Sequence, residues 1–293
     1  MVKDKSLNDR MLDYTNVLVL AIVGLVTLYP MIHVVMSSFS DGKSILAHTG
    51  FLFSPLGFDL GAYRAVLRNP MILLGYRNTA FLIFVGSLYS VFMTSLGAYF
   101  LSRKNILWKK HIMFLIVFTM FFSGGMIPFF LNVNNIGLTN TLWALLIPFS
   151  ITTFHMIIMR TAFATIPDSL EESARIDGAN DFHILFRVIL PLSMPVIAVM
   201  LLFYSVDRWN AWFWASIFLR DRTLFPLQLI LREILIANDL GVMTAGTEVA
   251  DRSLIAATIR YAVIVVATVP VLFIYPFLQK YFIQGVMIGA LKE

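Results

Sequence analysis

Residues 171–191 read EESARIDGANDFHILFRVILP, and they lie between two apolar segments of membrane-spanning length. The stretch is charged at its start, has a glycine at position 178, and returns to apolar residues before Leu190 and Pro191. Charged side chains are rare in the hydrocarbon core of a membrane, so this pattern predicts a loop outside it. The stretch therefore indicates a multi-pass helical membrane protein.

The composition agrees with that fold class. Hydrophobic residues make up 59% of the 293 positions and charged residues only 13%, whereas soluble domains carry about 25% charged residues. The chain has no cysteine, which excludes disulfides and thiolate metal sites. Its net charge of +5 is spread between loops, without a basic cluster interleaved with aromatic residues, so we expect no nucleic-acid binding.

Six apolar segments approach the length of about 20 residues that a membrane-spanning helix needs. They cover residues 14–36, 79–101, 112–131, 142–159, 196–214 and 261–282. Helices are expected because backbone groups in lipid must be paired within their own segment. We therefore predict an all-α integral membrane protein with six transmembrane helices in a single domain, residues 1–293, in contact with membrane lipid. Gly124, Gly125 and Pro128 could break or bend the third helix.

The loop charges predict how the chain is oriented. Residues 102–111 contain four lysine or arginine residues, whereas residues 132–141 contain none. Short cytoplasmic loops are enriched in lysine and arginine, so the first loop is predicted inside and the second outside. With six spans, both termini and residues 168–191 are then cytoplasmic.

Two long external segments follow from this topology, residues 37–77 and 215–259. In the first, a short helix is expected at residues 60–68. The second contains LFPLQLILREIL at residues 224–235, whose apolar spacing predicts an amphipathic helix at the outer surface. Loops of this length are usually functional rather than connective.

Residues 168–191 are expected to begin with a short helix. Asp168 or Ser169 can cap its start, with Glu171 or Glu172 at the third helical position of a capping box. A capping box pairs the backbone donors at the start of a helix with nearby side chains. We therefore expect the helix to begin close to Asp168.

The same loop contains signals for the end of that helix. Gly178 can end it because glycine tolerates a left-handed turn, and Asn180 or Asp181 can cap the next helix, which returns to the membrane. We expect a short helix that is nearly detached from the membrane helices and held by tight turns at both ends. Such a helix could transmit the movement of another protein to the membrane.

The loop resembles the signature loop of ABC importer permeases, whose pattern is E-A-A, three residues, G, nine residues, I, one residue, L-P. Residues 172–174 fill the first triplet, and Gly178 has the required spacing. Serine replaces one alanine, and Val188 stands where isoleucine is usual. Residues 203–235 and 280–293 also resemble carbohydrate importer permeases of the oligosaccharide branch, so the similarity covers nearly the whole chain.

The resemblance implies the type I ABC importer permease architecture and a location in the bacterial inner membrane. It implies a second homologous permease subunit, two ATPase subunits that bind ATP and Mg²⁺, and an extracytoplasmic solute-binding protein, which we expect to contact residues 219–251. The tail, residues 280–293, would reach toward the ATPase interface, although it ends in Lys-Glu where Lys-Gly is usual. The cargo implied is a carbohydrate, an oligosaccharide such as alginate.

The chain itself contains no phosphate-binding G-x-x-x-x-G-K-[ST] motif, so ATP hydrolysis is assigned to a partner. We predict no cofactor, no metal site, no catalytic residue and no enzymatic activity in this chain. Six residues are expected to contact the ATPase: Glu171, Glu172, Ser173, Ala174, Asp177 and Gly178. The alternative is that Glu172 only caps its own helix.

Five residues near the end of the fifth span are candidates for the substrate path: Tyr204, Asp207, Arg208, Trp209 and Asn210. Charges at such a depth usually face the bundle interior or a wet cavity. Arg208 and Asn210 could bind an anionic sugar, and Tyr204 and Trp209 could stack on sugar rings. The alternatives are an internal ion pair between Asp207 and Arg208, or a helix that ends near Arg208 at the outer interface.

Other functions are also compatible with the sequence. A permease of the same type could carry another small solute. An ion-coupled secondary transporter usually has intramembrane carboxylates and often inverted repeats, and only Asp207 comes near that description. An intramembrane enzyme would need a nucleophile with its base, or a metal cluster, within the spans.

Overall fold

A computed structural model describes residues 7–104, 106–236 and 257–273 of the chain. These residues are mainly helical, and β pairing among them is limited to an isolated bridge between Ser40 and Phe58. The helices are α1 (Leu7–Ser38), α2 (Gly42–Ala47), α3 (Gly61–Arg68), α4 (Pro70–Ser102), α5 (Lys109–Phe121), α6 (Met126–Asn135), α7 (Thr153–Phe163), α8 (Asp168–Ile176), α9 (Asp181–Ile184), α10 (Leu190–Leu192), α11 (Met194–Trp209), α12 (Trp212–Phe218), α13 (Leu227–Ile236) and α14 (Ala257–Phe273).

The chain divides into two compact units. One consists of Met1–Asn69 with Glu233–Val269, and the other of Pro70–Arg232 with Pro270–Glu293. In the first unit, α1 is apolar on all sides after its charged first turns, and most of its described side chains are exposed. A helix of this kind is suited to lipid or to another apolar subunit. It contains the whole of the first predicted span.

The segment after α1 is held together by hydrogen bonds from short polar side chains. Asp41 caps α2 by accepting a hydrogen bond from the Ser44 N–H at 3.1 Å. The hydroxyl groups of Ser38 and Tyr63 lie 2.7 Å apart, which joins the end of α1 to α3. The short helix predicted at residues 60–68 is confirmed as α3.

In the second unit, α4 is the helix on which the others pack, and many of the residues that it buries are small or polar. They include Gly75, Gly86, Ser87, Ser90, Thr94, Ser95 and Ala98. In lipid, the hydrophobic effect does not drive helices together, because the lipid tails are as apolar as the side chains. Helices associate instead where small residues allow close packing and where hydroxyl groups form hydrogen bonds between helices. The Thr94 and Tyr204 hydroxyls lie 2.7 Å apart, and those of Ser87 and Ser205 lie 3.2 Å apart, so α4 is bonded to α11.

The third predicted span is broken where its glycines lie. α5 ends at Phe121, α6 begins at Met126, and the two helices are bent by 113°. Gly125 has a φ of 84° and a ψ of 166°, a conformation essentially restricted to glycine. The break predicted at Gly124 and Gly125 is therefore confirmed.

The fourth predicted span, residues 142–159, is not a continuous helix. A single 3₁₀ turn at Leu142–Leu145 is followed by irregular backbone, and α7 begins only at Thr153. Pro148 lies in the irregular part and has no backbone N–H to donate. The prediction of a helix was wrong here. Hydropathy reports how apolar a segment is, and it does not show that residues far along the chain can bond the backbone carbonyls of a non-helical segment.

The fifth predicted span, residues 196–214, also differs in its ends. α11 runs from Met194 to Trp209, and a separate helix, α12, begins at Trp212. The helical run Asp181–Leu192, which precedes α11, contains a π-helical turn at Leu185–Ile189. The axis of this run is bent by 87° from that of α11. Pro191 lies two residues after the end of that turn, so its missing N–H lies close to where the helical pairing is widened.

Among the described residues, two helices are each long and apolar enough to cross a membrane, α1 and α4. The number rises to four if each bent pair counts as one span. α4 begins at Pro70, before the predicted start at residue 79, because its first turns carry polar residues that the apolar pattern excluded. α14 covers the first part of the sixth predicted span, and residues 274–282 lie outside the described part.

Candidate coupling site and membrane cavity

α8 ends in a left-handed glycine turn, as predicted. Gly178 has a φ of 83°, and its N–H donates to the Arg175 carbonyl at 3.0 Å. The Ala179 N–H donates to the Ala174 carbonyl at 2.9 Å, which completes the Schellman arrangement that pairs the last carbonyls of a helix. A Cβ at Gly178 would meet no atom within 4 Å, so glycine is required by the backbone conformation and not by lack of space.

The start of α8 differs from the predicted capping box. Pro167 precedes the first helical residue without a side-chain cap, and Asp168 pairs instead with Lys104 Nζ at 2.5 Å. Asp168 is already helical, so neither following glutamate occupies the third helical position. The following helix does have a predicted cap, because Asn180 accepts a hydrogen bond from the His183 N–H at 2.8 Å.

The pair between Lys104 and Asp168 is exposed to solvent. Their side chains are 80% and 46% exposed. The hydrogen bond from Lys104 holds the pKa of Asp168 below its ordinary value, and the same bond raises the pKa of Lys104. Both groups are therefore charged across the neutral pH range, and exposed pairs of this kind contribute little to stability.

Glu171 faces inward, and its carboxylate is held by three side chains of the same chain. Its side chain is only 11% exposed, and one oxygen accepts a hydrogen bond from Arg103. The other oxygen accepts from Arg175 at 2.9 Å and from the Tyr99 hydroxyl at 3.3 Å. The expectation that Glu171 faces an ATPase does not fit this placement.

Arg103 connects that carboxylate to the ends of two further helices. Its guanidinium donates to the Phe163 carbonyl at the end of α7 at 3.2 Å and to the Ser102 hydroxyl at the end of α4 at 3.0 Å. It also lies over the Tyr99 ring, 5.0 Å from its centroid, where a cation is attracted by the aromatic face. We call the cluster of Tyr99, Arg103, Glu171 and Arg175 the α8 anchor.

Four of the other five predicted coupling residues are exposed, and the fifth is not. Glu172, Ser173, Asp177 and Gly178 are exposed, and Ala174 is half-buried against the core. Ile176, which was not among the predicted residues, is 86% exposed beside them. The exposed set therefore offers a partner two carboxylates and one large apolar side chain.

In α11, Arg208 bonds the irregular backbone that replaces the fourth span. Only 4% of it is exposed. One guanidinium nitrogen donates to the Leu145 carbonyl, and another donates to the Phe149 carbonyl at 2.8 Å and to the Ser90 hydroxyl at 3.1 Å. These bonds satisfy carbonyls that have no helical partner, as membrane-embedded backbone requires. The proposed ion pair with Asp207 is not among these contacts.

Tyr204 lies one helical turn before Arg208 and bonds the same irregular segment. Its hydroxyl accepts a hydrogen bond from the Thr152 N–H at 3.2 Å. The same hydroxyl lies 2.7 Å from that of Thr94 on α4. Residues four apart share one face of a helix, so this face of α11 holds the irregular segment in place.

A cavity of about 330 Å³ lies beside that face. Its wall includes Phe149, Tyr204, Asp207, Arg208, Asn210 and Trp214. Four of the five predicted path residues are thus brought together, whereas Trp209 is half-buried and does not line the cavity. Within the described residues, no group of three or more histidine, cysteine or acidic side chains is placed to hold a metal ion.

Three functional candidates carry little or no local signal in the sequence. Arg103 was used only as a topological marker, because its partner Glu171 is 68 positions away and no local pattern joins them. Trp214, which lines the cavity, lies beyond the five residues selected near the end of the fifth span. Ile176 could have been found from its place between charged residues on the helix that the loop pattern had already identified.

Residues 72–288 match the family model of the binding-protein-dependent transport system inner membrane component. The chain belongs to this family. Its relatives include the polygalacturonan/rhamnogalacturonan transport system permease protein YtcP of Bacillus subtilis, 40% identical over 98% of this chain and 100% of that protein. Protein LplC of the same organism is 39% identical over 97% of this chain and 95% of that protein.

Comparison with solved structures identifies the fold of a known transporter chain. A chain of a bacterial ABC transporter involved in the import of the acidic polysaccharide alginate matches with a TM-score of 0.87 and 35% identity. The match covers 96% of this chain and 100% of that chain. The predicted permease family, the type I fold and the role of a permease in an ABC importer are therefore confirmed. The predicted contacts of residues 237–251 and of the tail lie outside the described residues.

Proposed function

We propose that this chain is a permease subunit of an ATP-driven ABC importer for acidic oligosaccharides, in the bacterial inner membrane. The observation that supports this most is the near full-length similarity to two kinds of acidic-polysaccharide transporter. One relative is named for polygalacturonan and rhamnogalacturonan, and the solved structure belongs to an alginate importer. Polygalacturonan and alginate both consist of uronate sugars, so the shared chemistry is a carboxylated oligosaccharide. Alginate itself is one candidate within that class.

The proposal includes partners that the chain needs in order to use ATP. They are a second homologous permease, two ATPase subunits that bind ATP and Mg²⁺, and an extracytoplasmic solute-binding protein. The family description supports the last of these by its reference to dependence on a binding protein. This chain then contributes no catalytic residue and no bound cofactor, and both of its termini are cytoplasmic.

We assign ATPase docking to the outward face of α8. Glu172, Asp177 and Ile176 are exposed there, while the opposite face is fixed by Glu171. A helix that couples an ATPase to the membrane requires an exposed face for the ATPase and an attachment to the rest of the permease. Without the attachment, movement of the helix would not move the membrane helices. Glu172 then contacts the partner, in preference to the alternative that it caps its own helix, because α8 has no side-chain cap.

We assign the substrate path to the cavity beside α11. Asn210 and Asp207 offer polar groups on its wall, and Trp214 offers an aromatic surface. Arg208 bonds two carbonyls and a hydroxyl, all neutral acceptors. Its positive charge can therefore attract a carboxylated sugar to the extent that the Asp207 carboxylate on the same wall does not offset it. In this assignment Arg208 has a structural role and an electrostatic one, and Trp209 has no direct contact with sugar.

The substrate class is tested by ATP hydrolysis of the purified complex with its solute-binding protein. Oligogalacturonate or oligoalginate should stimulate hydrolysis, while neutral oligosaccharides of the same length should not. Stimulation by neutral oligosaccharides alone would contradict the acidic assignment and leave the ABC importer assignment intact. Uptake that continues without ATP and is abolished by an ionophore would favour a secondary transporter instead.

A further inference from the structure

The second unit contains two ion pairs that join the same two elements, and they differ in burial. Arg103–Glu171 and Lys104–Asp168 both connect the chain just after the end of α4 with α8. The side chains of the first pair are 15% and 11% exposed, and those of the second pair are 80% and 46% exposed. Water and salt weaken the exposed Lys104–Asp168 pair far more than the buried Arg103–Glu171 pair. Only Arg103–Glu171 is therefore strong enough to hold α8 at a fixed position against the end of α4.

The buried pair is also part of a connected polar network. Both oxygens of Glu171 are bonded, and the Arg103 guanidinium reaches the ends of α4 and α7 as well as α8. A network in which every member is paired has one geometry and resists deformation. A displacement of α8 must therefore move the end of α4 or break these bonds.

α4 continues from this anchor to the wall of the cavity. Thr94 is bonded to Tyr204 at 2.7 Å, and Ser90 is bonded to Arg208 at 3.1 Å. Tyr204 and Arg208 both line the cavity. One 33-residue helix thus contacts α8 at one end and the cavity wall along its length.

From this arrangement we propose that Arg103 and Glu171 are positioning residues that transmit movement of α8 to α4 and so to the cavity wall. They touch neither nucleotide nor sugar. The proposal rests on the proposed function, because it assumes that an ATPase moves α8. A contiguous path of this kind becomes a coupling path only when energetic coupling is measured, and the two ion pairs provide a matched comparison.

The experiment uses the complete complex in proteoliposomes and measures oligoalginate or oligogalacturonate uptake per ATP hydrolysed. Arg103→Gln, Glu171→Gln and the double variant should each lower this ratio by about fivefold or more, as expected for loss of an allosteric coupling. The loss in the double variant should be smaller than the two single losses combined, since the Arg103–Glu171 contact is removed by either substitution. The ATPase subunits should still copurify, because the outward face of α8 is unchanged.

The matched controls are Lys104→Gln and Asp168→Asn, which remove the exposed pair between the same elements. Their ratio should stay within about twofold of the wild-type value. An unchanged ratio in the Arg103 and Glu171 variants, additive losses, or the same loss in the controls would each overturn the proposal. Dissociation of the ATPase in the Arg103 and Glu171 variants would also overturn it, because the anchor would then only support the docking surface.

Tyr99→Phe provides a second variant if the Gln substitutions prevent insertion. It removes only the hydroxyl donor to Glu171 and keeps the aromatic ring beside Arg103. We expect a smaller fall in the same ratio at normal expression, and an unchanged ratio would count against the anchor. A wild-type complex without ATP-dependent uptake would instead contradict the proposed function, so the two failures can be told apart.

Discussion

Arg208 has a role that depends on backbone outside its own helix. The carbonyls of Leu145 and Phe149 lie in or beside irregular chain and accept its hydrogen bonds. Gly86 leaves room for this guanidinium, because a Cβ there would lie 3.2 Å from Arg208 Nε and 2.5 Å from the Leu146 side chain. A charged residue at this depth is thus explained by backbone pairing before any substrate is considered.

Replacement of Arg208 should therefore reduce stability as well as transport. Arg208→Met leaves two carbonyls without their donor, and each unsatisfied buried group costs about 1–3 kcal/mol of unfolding free energy. Thermal unfolding of the detergent-solubilised protein, followed by tryptophan fluorescence, measures this. Asp207→Asn is the control, because it changes the exposed neighbour and should leave the melting temperature unchanged. A stable Arg208→Met variant that fails only in transport would assign Arg208 to substrate alone.

Gly178 allows a test of the turn that ends α8. Gly178→Val places a β-branched residue at a positive φ, which should cost about 1–3 kcal/mol locally. Gly178→Asn should be better tolerated, since asparagine enters the left-handed region more readily. Copurification of the ATPase and uptake should both fall for valine and be largely kept for asparagine. Equal behaviour of the two variants would show that the left-handed turn is not needed.

Among the elements, breaks in the membrane helices follow two different rules. The break between α5 and α6 lies at a glycine pair, which the sequence reveals directly. The irregular segment between Leu142–Leu145 and α7 is as apolar as a helix, and the groups that stabilise it, Tyr204 and Arg208, lie far along the chain. Hydropathy therefore predicted where apolar chain lies but could not predict which part of it is helical.

The same distinction applies to the candidate sites. The turn at Gly178 was predictable because its cause is local, and the exposed face of α8 follows from the helix itself. The inward orientation of Glu171 was not predictable, because adjacent glutamates differ only in which one meets Arg103 across a long sequence separation. Sequence alone thus identified the coupling helix but did not divide its residues between inside and outside.

The α5–α6 break predicts different effects for two adjacent glycines. Gly125→Ala should destabilise the protein by about 1–3 kcal/mol, because its φ of 84° and ψ of 166° suit only glycine. Gly124→Ala should be nearly neutral, since it has no positive φ and a Cβ there meets nothing within 4 Å. Melting temperatures of the two variants decide this, and a larger loss for Gly124→Ala would contradict the proposed origin of the break.

For the whole molecule, the loop charges predict a topology that the chain makes easy to test, since it has no cysteine. Leu107 is 81% exposed in the loop predicted to be cytoplasmic, and Ile136 is 59% exposed in the loop predicted to be external. In intact spheroplasts, an impermeant maleimide should label Ile136→Cys and should label Leu107→Cys only after permeabilisation. Labelling of Leu107→Cys from outside would invert the orientation and place α8 on the wrong side for an ATPase.

The central claim is that this permease uses ATP through the outward face of α8, and uptake into proteoliposomes tests it most directly. The complete complex, with its solute-binding protein outside and ATP inside, should accumulate oligoalginate or oligogalacturonate, and an ionophore should not abolish uptake. Glu172→Lys reverses a charge on the docking face, and loss of one partner of a close charge pair costs about 2–5 kcal/mol in binding. It should therefore abolish ATP-dependent uptake while the permease remains inserted, whereas uptake at the wild-type rate by Glu172→Lys at normal expression would contradict the account.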